Sequence, residues 1–141
     1  MVQMKKLLIS KNTILFLCLT LIIFSCSKSE SGLIVGNWTH VKTVNWYTSV
    51  SSIIQKDTIP AFPGEYIDFR TDGKEYAYFS DGTIYHHDTL NYSVNGNILT
   101  TSKNNTTGTS TLQELTSNTL NIYTKTTDSY GTRELWFFYI K

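Results

Sequence analysis

Three histidines are the side chains best suited to bind a metal or to transfer protons. His86 and His87 are adjacent and precede Asp88, whereas His40 lies far upstream. The surrounding sequence has β-strand character, and neighbouring residues of a strand point to opposite faces. His86 and His87 therefore cannot reach the same ion, and a protein metal site needs several convergent ligands. The sequence predicts no metal site and no cofactor.

The carboxylates give no clear catalytic pattern. Asp72 and Asp81 each precede a glycine and are explained by turn formation, while Glu65, Asp68 and Glu75 are predicted as exposed strand positions. No nucleophile, phosphate or metal motif is present. We therefore predict that the chain is not an enzyme. A carboxylate pair suited to glycoside hydrolysis stays open, because the separation of two carboxylates is not visible in a sequence.

Aromatic residues make up 13% of the chain and offer a different chemistry. Rings and a few hydroxyl groups along strands can line a cavity for a small apolar ligand. Ordinary barrel packing with a tyrosine-rich surface is the alternative interpretation. The candidate ligand-binding residues are Trp46, Tyr76, Tyr78, Tyr85 and Tyr92.

Two short motifs indicate candidate modification sites. Asp57-Thr58-Ile59 and Asp88-Thr89-Leu90 resemble the Asp-Ser/Thr-apolar sequon for O-glycosylation of exported proteins in some Gram-negative bacteria. The resemblance implies modification at Thr58 and Thr89. Unmodified strand or turn threonines are the alternative.

The first 25 residues have the layout of a secretory signal peptide. Lys5, Lys6 and Lys11 precede an apolar run over residues 14–24, which ends at a small residue, Ser25. The run is much shorter than the roughly 20 residues of a membrane-spanning helix. The pattern predicts a cleaved leader and no permanent transmembrane segment.

Ile23-Phe24-Ser25-Cys26 resembles the lipobox of bacterial lipoproteins. The resemblance implies cleavage before Cys26, lipidation of that cysteine and anchoring to the outer membrane, on a periplasmic or surface face that the sequence does not specify. The alternative is an ordinary secreted protein in which Cys26 is a free thiol. We predict a signal peptide over 1–25, a lipidated cysteine and tether over 26–33, and one domain over 34–141.

The predicted mature chain is nearly neutral and has no cysteine other than Cys26. Without the three leader lysines, nine basic residues face 11 acidic ones, a net charge of −2. This balance excludes the basic surface typical of nucleic-acid binding. No disulfide is available, so packing alone must stabilise the domain.

From Gly32 onward the sequence predicts an essentially all-β domain. β-branched and aromatic residues dominate, and Asp72-Gly73, Asp81-Gly82 and Asn95-Gly96 interrupt alternating runs. Asp-Gly pairs favour type I′ hairpin turns, in which both central residues have positive φ. Predicted strands cover about 36–47, 52–58, 65–71, 74–80, 83–94, 98–101, 109–116, 120–124 and 133–140, with an exposed loop over 103–108. Short turns and the lack of long crossovers favour an antiparallel up-and-down β-barrel of about eight strands.

With these strands in place, the chain resembles the lipocalin-like domains of bacterial lipoproteins. The matching motifs, which together span almost all of residues 34–141, are Gly36-Asn37-Trp38, Tyr66–Gly73, Tyr92–Leu99 and Leu115–Leu120. In lipocalins the tryptophan of Gly-x-Trp plugs the closed end of the barrel under a basic residue of the last strand. The resemblance implies this structural role for Trp38, with Arg133 as its partner.

The resemblance implies non-catalytic binding of a small apolar or amphipathic ligand. A protein-interaction or scaffold module of a cell-envelope complex, with a filled barrel, is the alternative function. An eight-stranded barrel has room for little more than its own side chains or one small ligand.

Overall fold

A computed structural model describes residues 30–50 and 54–141. The predicted signal peptide and Cys26 lie outside the described residues. No helix within the described ranges is long and apolar enough to cross a membrane.

Nine antiparallel strands form the described part of the chain, preceded by one short helix. The helix α1, Glu30–Ile34, lies mostly in the segment predicted as a tether. The strands are β1 Gly36–Ser49, β2 Ile54–Pro60, β3 Tyr66–Phe69, β4 Lys74–Ser80, β5 Tyr85–Asn95, β6 Ile98–Lys103, β7 Thr106–Leu115, β8 Thr119–Thr127 and β9 Gly131–Ile140.

Pairing of the first strand with the last closes the sheet. Neighbouring strands pair in sequence from β3 to β9, and β1 pairs with both β3 and β9. The first four residues of β1 pair with β3. Further along the same edge, β1 pairs with β2, which is not part of the closed ring of strands. The result is a closed eight-stranded barrel with β2 as an additional edge strand on β1, which confirms the predicted all-β barrel.

The Asp-Gly turns form hairpins of a different type from the one predicted. Gly73 and Gly82 have positive φ values of 77° and 91°, whereas the preceding aspartates do not. Asp72 Oδ1 instead accepts the backbone N–H of Lys74 at 3.0 Å, and Asp81 Oδ1 accepts those of two following residues. The aspartate is thus favoured because its side chain satisfies turn N–H groups.

The loop predicted over 103–108 is also shorter than expected. Asn104 and Asn105 both have positive φ, 48° and 65°, so they make the tight turn alone. Asparagine tolerates this conformation better than other non-glycine residues. β6 and β7 therefore extend to the turn, and Lys103 pairs with Thr106.

The buried core fills one end of the barrel. Trp38 and Phe69 are fully buried there, and Ile34 of α1 closes the end from below. The indole Nε1 of Trp38 donates a 2.6 Å hydrogen bond to the carbonyl of Ile34. Other buried members of this core are Ile67, Leu99, Leu112, Leu120 and Ile122.

Lys141, and not Arg133, is the cation over Trp38. Its Nζ lies 4.3 Å from the Trp38 ring centroid and 3.1 Å from the carbonyl oxygen of Val35. Arg133 pairs with Tyr47, whereas Ile140 pairs with Thr39, next to Trp38. Seven residues of strand separate Arg133 from this end, about 23 Å at the usual rise. The predicted barrel-end pair is corrected accordingly.

Substitution of these two basic residues should have unequal effects on stability. Lys141→Ala removes a cation–π contact and two bonds to carbonyls near α1, so we expect a loss of about 1 kcal/mol in the free energy of unfolding. Arg133→Ala, the matched control, should change it by less than about 0.5 kcal/mol. Urea unfolding of both variants measures this. An equal or larger loss for Arg133→Ala would contradict the assignment.

Candidate functional site

The barrel interior holds a cavity of about 350 Å³ that opens to solvent and lies partly against the buried core. Its apolar wall comes from alternate residues of five strands, because one face of each strand points inward. Phe79 is 46% exposed and lies where the cavity meets solvent. The apolar lining residues are Ile67, Ala77, Phe79, Leu99, Ile122 and Phe137.

Polar groups are interspersed along the same wall. The hydroxyls of Ser110 and Thr124 hydrogen-bond to each other at 2.8 Å. The remaining polar lining comes from His40, Glu65, Glu75, Thr101 and Tyr139, with Tyr66 and Tyr78 at the margin. A small cavity with an apolar wall and a few polar groups is typical of a ligand site.

Glu65 is buried and its carboxylate is fully used within the protein. It accepts hydrogen bonds from the backbone N–H groups of Ser80 at 2.7 Å and Phe62 at 3.2 Å. His40 Nδ1 lies 2.8 Å from Glu65 Oε2, and His40 Nε2 lies 3.0 Å from Thr43 Oγ1. Burial alone would raise the pKa of Glu65, but these hydrogen bonds outweigh it and the pKa is lowered. Glu65 therefore serves as a charged structural anchor.

Glu75 is the second buried glutamate and has the opposite environment. It is only 9% exposed, and its Oε2 has no hydrogen-bond partner in the described part of the chain. Burial, followed by the nearby negative charge of Asp88, raises the pKa of Glu75 from 4.5 to about 7. A carboxyl group that is buried without partners is costly when charged. Glu75 is thus the unsatisfied polar group of the cavity.

Two further groups set the charge around Glu75. Asp88 is hydrogen-bonded to Lys103, and this contact lowers the pKa of Asp88. The hydroxyl of Tyr139 has a raised pKa because of burial and the nearby carboxylates of Glu75 and Glu65. Asp88 therefore stays negative, Tyr139 stays neutral, and the described surroundings of Glu75 give it no ion-pair partner.

The structure does not bring the five predicted aromatic residues together in the cavity. Tyr78 alone among them lines it, and its ring stacks outside on Tyr85, with 5.0 Å between centroids. Tyr76 packs under the guanidinium of Arg70 at 4.1 Å. Ligand binding by these residues stays a prediction.

Tyr92 and Trp46 lie elsewhere. The Tyr92 ring packs edge-on against Phe69 in the core, and its hydroxyl donates to the carbonyl of Arg70 at 2.8 Å. Trp46 packs against Trp136 with 4.8 Å between ring centroids, and it is 38% exposed.

A β-bulge explains the position of Trp46. Simple alternation from Trp38 would place residue 46 on the inner face, but the register of β1 against β9 shifts between His40 and Lys42. The extra residue, Val41, reverses the alternation beyond it. The inward positions become Thr43 and its successors at alternate residues, and Trp46 faces outward.

The burial of Glu65 and Glu75 corrects their prediction as exposed residues. Glu75 pairs across the hairpin with the fully buried Phe69, so it must share the inner face. That signal was available in the sequence, because the Asp72-Gly73 turn aligns the two strands. Asp68, on the other face of β3, forms an ion pair with Arg70 at 2.9 Å.

The remaining predicted sites lie outside the cavity. In residues 30–50 and 54–141, no group of three or more histidine, cysteine or acidic side chains could hold a metal ion. His86 contacts Asp81 and Phe79, whereas His87 contacts Tyr78. Thr58 and Thr89 are exposed on β2 and β5, and their glycosylation stays a prediction.

Replacement of Glu75 should change how stability depends on pH. Because the folded-state pKa lies above the ordinary value, the ionised carboxyl destabilises the fold progressively as pH rises from about 4.5 to about 7. Glu75→Gln removes this penalty. The difference in the free energy of unfolding, variant minus unmodified protein, should therefore be about 3 kcal/mol larger at about pH 8 than at about pH 4. Urea unfolding at both pH values measures the change.

Glu65→Gln is the matched control with the opposite sign. The Glu65 carboxylate stabilises the fold above the ordinary pKa of a glutamate, and this contribution is lost as pH falls through its lowered pKa. Glu65→Gln should therefore cost more stability at high pH than at low pH. The same trend in both variants would contradict the contrast between the two glutamates.

Three comparisons with known proteins were made, against family models, solved structures and curated proteins. The family model described as a lipocalin-like domain matches residues 34–122, more than half of the chain. Among solved structures, a lipocalin-like protein from Bacteroides uniformis is similar at 14% identity, with a TM-score of 0.45. That alignment covers 74% of this chain and 97% of the other. None of the curated proteins compared with the chain matches it.

The family match begins just before β1 and extends into β8. It covers the segments that supply most of the cavity wall, including Glu65 and Glu75. The chain belongs to the family of lipocalin-like domains.

Proposed function

We propose that this chain is a lipid-anchored protein of the cell envelope that binds a small apolar or amphipathic ligand without transforming it. The lipocalin-like barrel is a small-ligand-binding fold. The observation that carries the proposal is the cavity of about 350 Å³ above a closed, tightly packed barrel end. Its volume is within the range typical of small-molecule sites.

The lining supports an amphipathic ligand more than a purely hydrocarbon one. Apolar side chains such as Ile67, Ile122 and Phe137 supply contact area, whereas Glu75 offers an unpaired oxygen. A ligand with one polar group would satisfy that oxygen and bury its apolar part at about 25 cal/mol per Å². No covalent step is needed for this role.

The exposed face of the barrel gives a second candidate, an interaction module for an envelope partner. β2 pairs only with β1 among the described strands, and its outer edge is free to pair with another chain. Phe62 and Ile84 are 42% and 61% exposed. An interaction module of this kind is expected to have a filled barrel, and the cavity therefore favours the ligand-binding function.

Native mass spectrometry of residues 27–141 purified gently from the native host tests ligand binding. We expect a discrete mass above that of the protein alone. Ala77→Phe should abolish the added mass, because Ala77 lines the cavity and a phenyl ring would fill part of it. Thr107→Phe, on the exposed face of β7, is the matched control and should retain the mass.

An unoccupied protein that also fails to bind apolar ligands added in solution would contradict the ligand-binding proposal. Cross-linking of the intact protein in cells would then test the interaction module. Retention of the added mass by Ala77→Phe would place the ligand outside the cavity.

Lipid anchoring rests on the resemblance of residues 23–26 to a lipobox, and Cys26 is the attachment point. Cells grown with an alkyne-tagged fatty acid should label the protein and retain it in the membrane fraction. Cys26→Ala should abolish the label. Cys18→Ala, within the predicted leader, should keep it. Labelling that survives Cys26→Ala would contradict this part of the proposal.

A further inference from the structure

Glu75 is unusual among the groups that line the cavity. Two buried side-chain oxygens lack a hydrogen-bond partner in the described ranges, Glu75 Oε2 and Asn45 Oδ1, and only Glu75 lines the cavity. Glu65, on the same wall, has both carboxylate oxygens hydrogen-bonded within the protein. A buried acceptor that the fold leaves unpaired is an interaction available to a ligand.

Resting on the ligand-binding function proposed above, we infer that the cavity selects an apolar amine, whose protonated nitrogen donates to the carboxylate of Glu75. Charge-assisted hydrogen bonds of this kind are shorter and stronger than neutral ones. The amine supplies the counter-charge that Glu75 lacks. Its hydrocarbon part lies against the apolar wall.

The charges facing Glu75 favour a cation over an anion. The acidic group whose charge acts on Glu75 is Asp88 on β5, which is paired with Lys103 on β6, and Tyr92 on β5, which also lies near Glu75, is neutral. On the other side, Tyr139 on β9 is neutral and His40 on β1 is paired with Glu65. A carboxylate ligand would meet this acidic surrounding, whereas an ammonium group is attracted by it.

The length of the cavity fits an alkyl chain attached to that nitrogen. Glu75 and Phe79 are both on the inner face of β4, four residues or about 13 Å apart. Ala77 lies between them and leaves space that a larger side chain would fill. An amine held at Glu75 would therefore extend its chain past Ala77 toward the opening at Phe79.

Binding of such a ligand should depend on pH through Glu75. Its pKa of about 7 leaves the carboxyl ionised above that pH and protonated below it. An alkylamine stays protonated over the same range. The affinity should therefore fall with the ionised fraction of Glu75, by up to about 30-fold from about pH 8 to about pH 5.5.

Calorimetric titration with three probes of equal chain length tests the inference. The probes are octylamine, 1-octanol and octanoate, added to protein produced from the full sequence in lipid nanodiscs, with empty nanodiscs as the reference. At about pH 8 we expect octylamine to bind at least tenfold more tightly than 1-octanol, and octanoate to bind most weakly.

Glu75→Gln should reduce the affinity for octylamine at least tenfold and remove its pH dependence. Its affinity for 1-octanol should change by less than about twofold, which shows that the cavity is intact. Glu114→Gln, on the exposed face of β7, is the matched control and should leave all three affinities unchanged.

The possible failures are distinguishable. Equal affinity for all three probes, or a preference for octanoate, would overturn the amine inference and leave ligand binding in place. Octylamine affinity unaffected by Glu75→Gln would also overturn it. Failure of all three probes to bind would contradict both the inference and the proposed function.

Discussion

Hydrogen bonding between β1 and β9 is the constraint on which the rest of the structure depends. It converts a chain of hairpins into a closed barrel and gives every inward side chain a defined set of neighbours. Gly131, at the start of β9, is required at this seam, because an added Cβ would lie 2.3 Å from the carbonyl oxygen of Thr48. Closure thus fixes which residues share the interior and which face solvent.

An interior of this kind has two parts with different physical requirements. At the closed end, Trp38 and Phe69 are fully buried in one core cluster, and the indole N–H of Trp38 donates to the carbonyl of Ile34. Above them, the wall combines apolar residues with two glutamates. The bonds made by Glu65 help to hold the segment before β3, whereas Glu75 makes none at Oε2. Packing therefore accounts for the first part, and in the second the proposed ligand would supply the donor that Glu75 Oε2 lacks.

The sequence is sufficient for the fold but not for the site. Alternating strands and Asp-Gly or Asn-Gly turns predicted the barrel, because each of these signals acts between residues close in the chain. The site depends on which alternate residues of each strand point into the barrel. One bulge at Val41 moves Trp46 to the outside, and nothing local in the sequence marks that bulge. The burial of Glu75 follows from its pairing with Phe69, which the hairpin made predictable, but polarity alone suggested an exposed position. The register of β9 against β1 likewise decides that Lys141, and not the predicted Arg133, lies over Trp38.

Within residues 30–50 and 54–141, the barrel holds a buried glutamate, Glu75, whose Oε2 has no hydrogen-bond partner and which lines the cavity. Carbon-13 NMR titration of the Glu75 side-chain carboxyl in the folded, ligand-free protein measures this most directly. A pKa of about 7 is the result that the account predicts, because burial and the charge of Asp88 both oppose ionisation. A pKa near 4.5, the ordinary value for a glutamate, would mean that water or a protein group already satisfies Glu75, and it would contradict the account.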